Sequence, residues 1–142
     1  MPKRVGTAKW EGNLENGKGT VSTETGTLSK AQYNFSSRFE EGTGTNPEEL
    51  VGAAHAGCYS MAFSLGLTEE GYEPKSIETE DTVHIEQVGD GFAITKIEIN
   101  TVREVPGIDE VTFQKVAEAT KDGCPVSKAL QGVEFELNAT LK

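Results

Sequence analysis

The chain has 142 residues and a mass of 15.2 kDa, the size of one ordinary domain with room for a real core. Its 23 acidic against 13 basic residues give a net charge of −10, and with no basic stripe to displace counterions, nucleic acid is excluded as a natural partner. No unbroken apolar run of membrane length is present, and the charged start Met1-Pro-Lys-Arg-Val5 lacks the apolar centre of an export signal, so one cytoplasmic domain over residues 1–142 is expected.

In chain order, Val5 to Trp10 and Gly19 to Thr25 read as a hairpin, with Asn16-Gly17 as a type I′ turn and Trp10 assigned to the core. Tyr33, Phe35, Ser37 and Phe39 alternate with Asn34, Ser36, Arg38 and Glu40, which predicts a strand that carries Arg38 on its polar face. A Gly/Thr loop over 41–45 then delivers the chain to a long apolar helix from Asn46 to Leu67. Asn46 is its cap, Pro47 takes the first turn where a missing N–H costs nothing, and Glu48 and Glu49 occupy the positive end of the dipole. Glu49 is also placed to close a capping box.

Along that helix Leu50, Ala53, Ala54, Gly57, Cys58, Met61 and Leu65 recur at spacings of three and four, predicting that this face is buried against another helix or a copy of the same one. Glu78 to Val88 and Phe92 to Val105 flank Gly89-Asp90-Gly91 as an antiparallel hairpin, with Ile97, Ile99 and Thr101 set against Lys96, Glu98 and Asn100. A second amphipathic helix runs from Asp109 to Lys121 and stops at Gly123; Cys124-Pro125 opens a short helix, and Val133, Phe135 and Leu137 mark a last strand. The order predicts an α+β fold, mostly antiparallel, around the central apolar helix.

The two cysteines, Cys58 and Cys124, carry the possible chemistry. In a reducing compartment they are not a permanent structural disulfide, which leaves an inert, a redox-active or a metal-bound pair. Cys58 lies about a dozen residues into its helix, beyond the reach of the dipole, where a thiol is by default a small buried hydrophobe. A reactive thiolate there needs a cation from elsewhere; Arg38 is the candidate, set against the plainer reading of a solvated edge charge. Cys124, at a helix N-cap, gains from unsatisfied N–H groups, set against a packed turn residue. His55, one turn before Cys58, admits a thiolate–imidazolium couple or half of a zinc site with Cys124 and His84. Without a Cys-x-x-Cys spacing the zinc reading is weak and no metal is expected, and His84 reads as a solvated strand residue.

Gly44-Thr-Asn-Pro-Glu-Glu-Leu-Val-Gly-Ala-Ala-His-Ala-Gly-Cys58-Tyr-Ser-Met61, together with Gly123-Cys-Pro-Val-Ser127, resembles the OsmC/Ohr family of thiol peroxidases. Gly17 to Glu24, Gly91 to Ile97 and Pro106 to Asp109 extend the resemblance over nearly the whole chain. It implies a cofactor-free reductase of organic hydroperoxides in an intertwined homodimer. Cys58 matches the family's peroxidatic cysteine, Cys124 its resolving cysteine, and Arg38 and Glu48 the charged pair that activates the first thiol. A dithiol, with a lipoylated protein as one candidate, would regenerate the enzyme.

One geometric step is independent of the resemblance. Glu48 and Cys58 are about 15 Å apart along a straight helix, too far to share one arginine, so a contribution of Glu48 at the thiol requires a second chain. Two further readings compete with the peroxidase: a cysteine hydrolase using Cys58 and His55, and a sensor that traps apolar electrophiles once.

Overall fold

Strands β1 (Gly6–Glu11), β2 (Lys18–Thr23) and β3 (Ala31–Tyr33) form an antiparallel sheet in the order β1-β2-β3, described here, like all residues 1–142, by a computed structural model. Trp10 and Tyr33 pack 5.4 Å apart across Gly19, where an added Cβ would stand 2.5 Å from the Tyr33 ring and 2.7 Å from Trp10, so glycine is required there. Trp10 is not a core residue; 36% of its surface stays exposed. Nor is Asn16-Gly17 a type I′ turn. Asn13 organises the loop instead, its side chain accepting from the Asn16 N–H at 2.8 Å and its carbonyl from Gly17 at 2.9 Å, while the positive φ falls on Gly12.

The predicted strand through Arg38 is a short helix, α1 (Phe35–Phe39). Asn34 overrides the alternation: its side chain caps the Ser37 N–H at 2.8 Å while the Ser37 hydroxyl accepts from the Asn34 N–H at 2.9 Å, a reciprocal box that the alternation reading overlooked. Ser37 also donates to the Thr45 carbonyl at 2.8 Å, and Asn46 Nδ2 donates to the Ser37 carbonyl at 3.0 Å, which ties α1 to the start of the long helix α2 (Pro47–Glu69). Asn46 caps α2 through the Glu49 N–H at 2.8 Å as expected, but the Glu49 carboxylate takes the Thr45 hydroxyl at 2.6 Å rather than closing a box.

β1 to β3, α1 and the first residues of α2 make one unit, Met1–Leu50; the rest of α2 belongs to a second, Val51–Lys142. Its sheet has the order β4 (Ser76–Val88), β5 (Gly91–Glu104), β6 (Glu134–Leu141). The β4–β5 hairpin is antiparallel; β6 joins β5 in parallel, a pairing that needs the crossover supplied by α3 (Glu110–Gly123) and α4 (Pro125–Ala129). Asp109 caps α3 by accepting from the Thr112 N–H at 2.9 Å. Tyr59, Phe63 and Leu67 of α2 meet Ile97 and Ile99 of β5 and Phe113, Val116 and Ala117 of α3 in the core.

The buried stripe of α2 is therefore Gly52, His55, Tyr59, Phe63 and Leu67, and the face predicted to be buried lies largely outward, with Met61 78% and Leu65 60% exposed. Alanine, glycine and large apolar residues occur almost all round this helix, so periodicity admits two phases, and His55 lies on the buried one, where its partners come from distant parts of the chain. By length and apolarity α2 also passes for a bilayer-crossing helix, contrary to the opening expectation, yet its inner face is that of a core helix.

Alternation along β5 places Ile97, Ile99 and Thr101 inward as predicted, and Arg103 with them, fully buried. Its guanidinium lies 3.7 Å from the centre of the Phe63 ring and within 6 Å of the Tyr59 and Phe113 rings, and Nη1 donates to Thr101 Oγ1. Nε and Nη2 have no partner, and burial draws the group down to about 10.

Candidate active site

Cys124 closes α3 and opens α4, and both roles follow from local sequence: Gly123 ends one helix and Pro125 occupies the first turn of the next. The Cys124 sulfur accepts the Ser127 N–H at 3.3 Å, so it is the helix cap that was expected, and its side chain is fully buried. Cys58, half-buried on α2, meets the same helix start. The Val126 N–H bonds its sulfur and draws the thiol pKa down, against the larger effect of burial; the neighbouring Cys124 thiol adds to the upward push, and the net shift is upward. Both thiols are free. Two cysteines far apart in sequence thus stand side by side, which no local rule could supply.

Arg38 and Glu48, in the first unit, form a charge pair. Arg38 Nε and Nη2 both donate to Glu48 Oε1, at 3.1 and 2.8 Å, and the guanidinium also lies 5.2 Å from the Phe39 ring centre. Glu48 is 6% exposed, and its second oxygen, Oε2, is buried with no partner. Arg38 borders a groove of about 270 Å³ lined by Trp10, Leu14, Tyr33, Phe35 and Phe39. The pairing owes its geometry to α1: the helix, not a strand edge, turns Arg38 toward the first turn of α2.

His55 does not serve Cys58. Both of its ring nitrogens are engaged elsewhere, Nδ1 by Asp81 of β4 and Nε2 by Ser127 of α4 at 2.7 Å, with the ring stacked on Phe135 at 5.0 Å. His84 instead pairs with Glu98 at 2.8 Å, so the set weighed as a zinc site is dispersed. The sequence reading missed three buried polar residues: Asp81, Ser127 and Arg103. Asp81 left a signal, an acid on the inward side of β4 in step with Ile77, Thr79 and Val83.

Fold and site together define an α+β dithiol protein, with two reduced cysteines meeting at a helix start. Residues 40–138 match the family described as OsmC-like protein, and the chain belongs to the OsmC family. It is 53% identical to the peroxiredoxin OsmC of Escherichia coli K12 over 139 residues, 98% of this chain and 96% of that protein. It is also 30% identical to the organic hydroperoxide resistance protein OhrB of Bacillus subtilis, over 84% of this chain and 88% of the relative. The crystal structure of OhrB from Bacillus subtilis superposes with a TM-score of 0.67 over 97% of this chain and 98% of that one. An OsmC-like protein from Mycoplasma pneumoniae, only 17% identical, shares the fold with a TM-score of 0.74, covering 99% of this chain and 97% of its own.

Proposed function

We infer that the chain is a cysteine-based peroxidase that reduces organic hydroperoxides to alcohols. The juxtaposition of Cys58 and Cys124 at the start of α4 carries this reading, and the peroxiredoxin at 53% identity supports it. The Cys58 thiolate attacks one peroxide oxygen, the O–O bond breaks, and the alkoxide leaves and takes a proton, giving an alcohol and Cys58 sulfenic acid. Cys124 then displaces the hydroxyl as water and forms the Cys58–Cys124 disulfide, which an external dithiol, a lipoylated protein being one candidate, reduces in the cytoplasm. The apolar groove beside Arg38 fits the carbon skeleton of an organic hydroperoxide, since each buried methylene gains about 0.8 kcal/mol.

Activation needs a cation, because burial has pushed the Cys58 thiol up. Arg38, held by Glu48, supplies it from a second copy of the chain. α2 is one unbroken helix, so Glu48 and Cys58 of one copy are about 15 Å apart along it. Two α2 helices pairing through their exposed faces would cover Met61 and Leu65, and the unpartnered Glu48 Oε2 is suited to a site completed by the partner. A homodimer is therefore expected on size-exclusion chromatography at micromolar concentration; a monomer with full activity would overturn the shared site.

The direct test is intact mass after one equivalent of cumene hydroperoxide. Wild type should lose two hydrogens per chain, and Cys124→Ser should gain one oxygen at Cys58. Two thiols left free and unmodified would end the peroxidase reading.

A further inference from the structure

Behind Cys124 lies a chain of polar side chains that the peroxidase cycle, as described, leaves unused. The side chains of Asp81 and His55 are both fully buried, and Ser127 is 4% exposed. Asp81 Oδ2 meets His55 Nδ1, His55 Nε2 lies 2.7 Å from Ser127 Oγ, and Ser127 Oγ lies 3.0 Å from Cys124 Sγ. A buried acid and imidazole are costly unless paired; both imidazole nitrogens are paired here, while Asp81 Oδ1 is buried without a partner, so the carboxylate's one bond is to His55.

The proton positions follow from what each group can donate. An ionised carboxylate only accepts, so His55 Nδ1 carries hydrogen. In the neutral ring Nε2 must then accept, the Ser127 hydroxyl donates to it, and the serine oxygen is left to accept from the Cys124 S–H. Shifting two protons along the row turns a neutral thiol and imidazole into a Cys124 thiolate, bonded by both the N–H and the O–H of Ser127, and an imidazolium held by Asp81. Both end states leave every one of these bonds satisfied.

We propose that Asp81, His55 and Ser127 form a proton relay that deprotonates Cys124 for its attack on oxidised Cys58. The proposal rests on the peroxidase reading and adds to it a base for the resolving step. In that step the Cys124 S–H proton passes to Ser127 Oγ while the Ser127 proton passes to His55 Nε2. The Cys124 sulfur attacks the Cys58 sulfur, the S–S bond forms, and the S–O bond of the sulfenic acid breaks. The departing hydroxide takes up a proton, and loss of the imidazolium proton restores His55, so thiol plus sulfenic acid yields disulfide plus water. His55 and Asp81 touch no reacting atom and act as positioning residues; Ser127 is the contact to sulfur.

The groups around the relay leave it the base. Tyr59 of α2 stands 6.2 Å from the imidazole, ring centre to ring centre, and burial holds its phenol protonated; Phe135 of β6 stacks on the imidazole at 5.0 Å. Lys121, Asp122 and Lys128 line the cavity that Ser127 and Phe135 share. Of the groups bonded to the imidazole, only Asp81 is a carboxylate.

The test separates resolution from oxidation. Cys58 sulfenic acid is generated with one equivalent of cumene hydroperoxide, and its conversion to disulfide is followed by rapid quench, dimedone trapping and mass spectrometry across pH. In wild type the rate should be nearly level through neutrality. In Ser127→Ala the sulfenic acid should persist roughly tenfold to a hundredfold longer at about pH 6.5, with a rate that climbs as hydroxide replaces the relay. Ser127→Thr, which keeps the hydroxyl, should restore the level profile. Asp81→Asn should behave as Ser127→Ala does, because an amide donating to Nδ1 reverses the tautomer, and it answers the question if Ser127→Ala does not fold. Resolution at the wild-type rate and profile, or slowing by the same factor at every pH, would overturn the relay. Absence of sulfenic acid in Cys124→Ser would instead defeat the peroxidase reading, so the two failures are distinguishable.

Discussion

Replacing Cys58 with serine is expected to end cumene hydroperoxide reduction, lowering turnover by at least about a thousandfold, because an alcohol offers neither an accessible anion near neutral pH nor a sulfur that can hold the transferred oxygen. Cys124→Ser should behave differently: one equivalent of peroxide is consumed at Cys58, and turnover with a dithiol then slows or stops for want of an internal disulfide. The contrast follows from the two environments. Cys58 is half-buried and so open to substrate, whereas Cys124 is fully buried behind it as the cap of α4. The first step should also accelerate as pH rises through neutrality, since burial raises the Cys58 thiol and, within one chain, only the Val126 N–H opposes that shift, the rest of the lowering being left to Arg38 of the second copy. Steady-state assays on both variants with a fixed dithiol, across pH, check all three outcomes. Substantial turnover by Cys58→Ser would remove that thiol from the reaction.

Phe63→Ala should be the most damaging single change to the fold, costing about 3–5 kcal/mol. Phe63 is fully buried, its ring lies 5.7 Å from Tyr59 and 5.6 Å from Phe113, and its face lies 3.7 Å from the Arg103 guanidinium. Truncation opens a cavity and removes the ring face from a buried cation that already lacks partners at Nε and Nη2. Urea unfolding should show a lower midpoint with an unchanged slope, and Phe63→Leu should cost less than about 1.5 kcal/mol. A loss below about 1 kcal/mol for the alanine variant would mean that the core closes around the gap.

Much of the fold was legible wherever neighbouring residues decide the outcome. The alternation of Ile97, Ile99 and Thr101 placed β5, Asp109 started α3, and Asn46 with Pro47 started α2. The failures share a cause. Phe35 to Phe39 alternated like a strand, but the reciprocal bonds of Asn34 and Ser37 are worth more than a pattern of five residues. Cys58 lies on the predicted helix, yet the buried face of that helix is Gly52, His55, Tyr59, Phe63 and Leu67 and not the one that carries Met61 and Leu65.

By itself, then, the sequence determined the element order, the caps and a pair of cysteines in contrasting settings, because these depend on groups within a turn or two of each other. Its motifs also carried the family. Only the tertiary structure decided which face of α2 is covered, that Cys58 and Cys124 meet, and that His55 belongs to Asp81 and Ser127 rather than to Cys58. Those outcomes depend on how α2, β4 and α4 pack, and a long-range contact is selected by the burial and hydrogen bonding of the whole unit, not by the residues beside it in the chain.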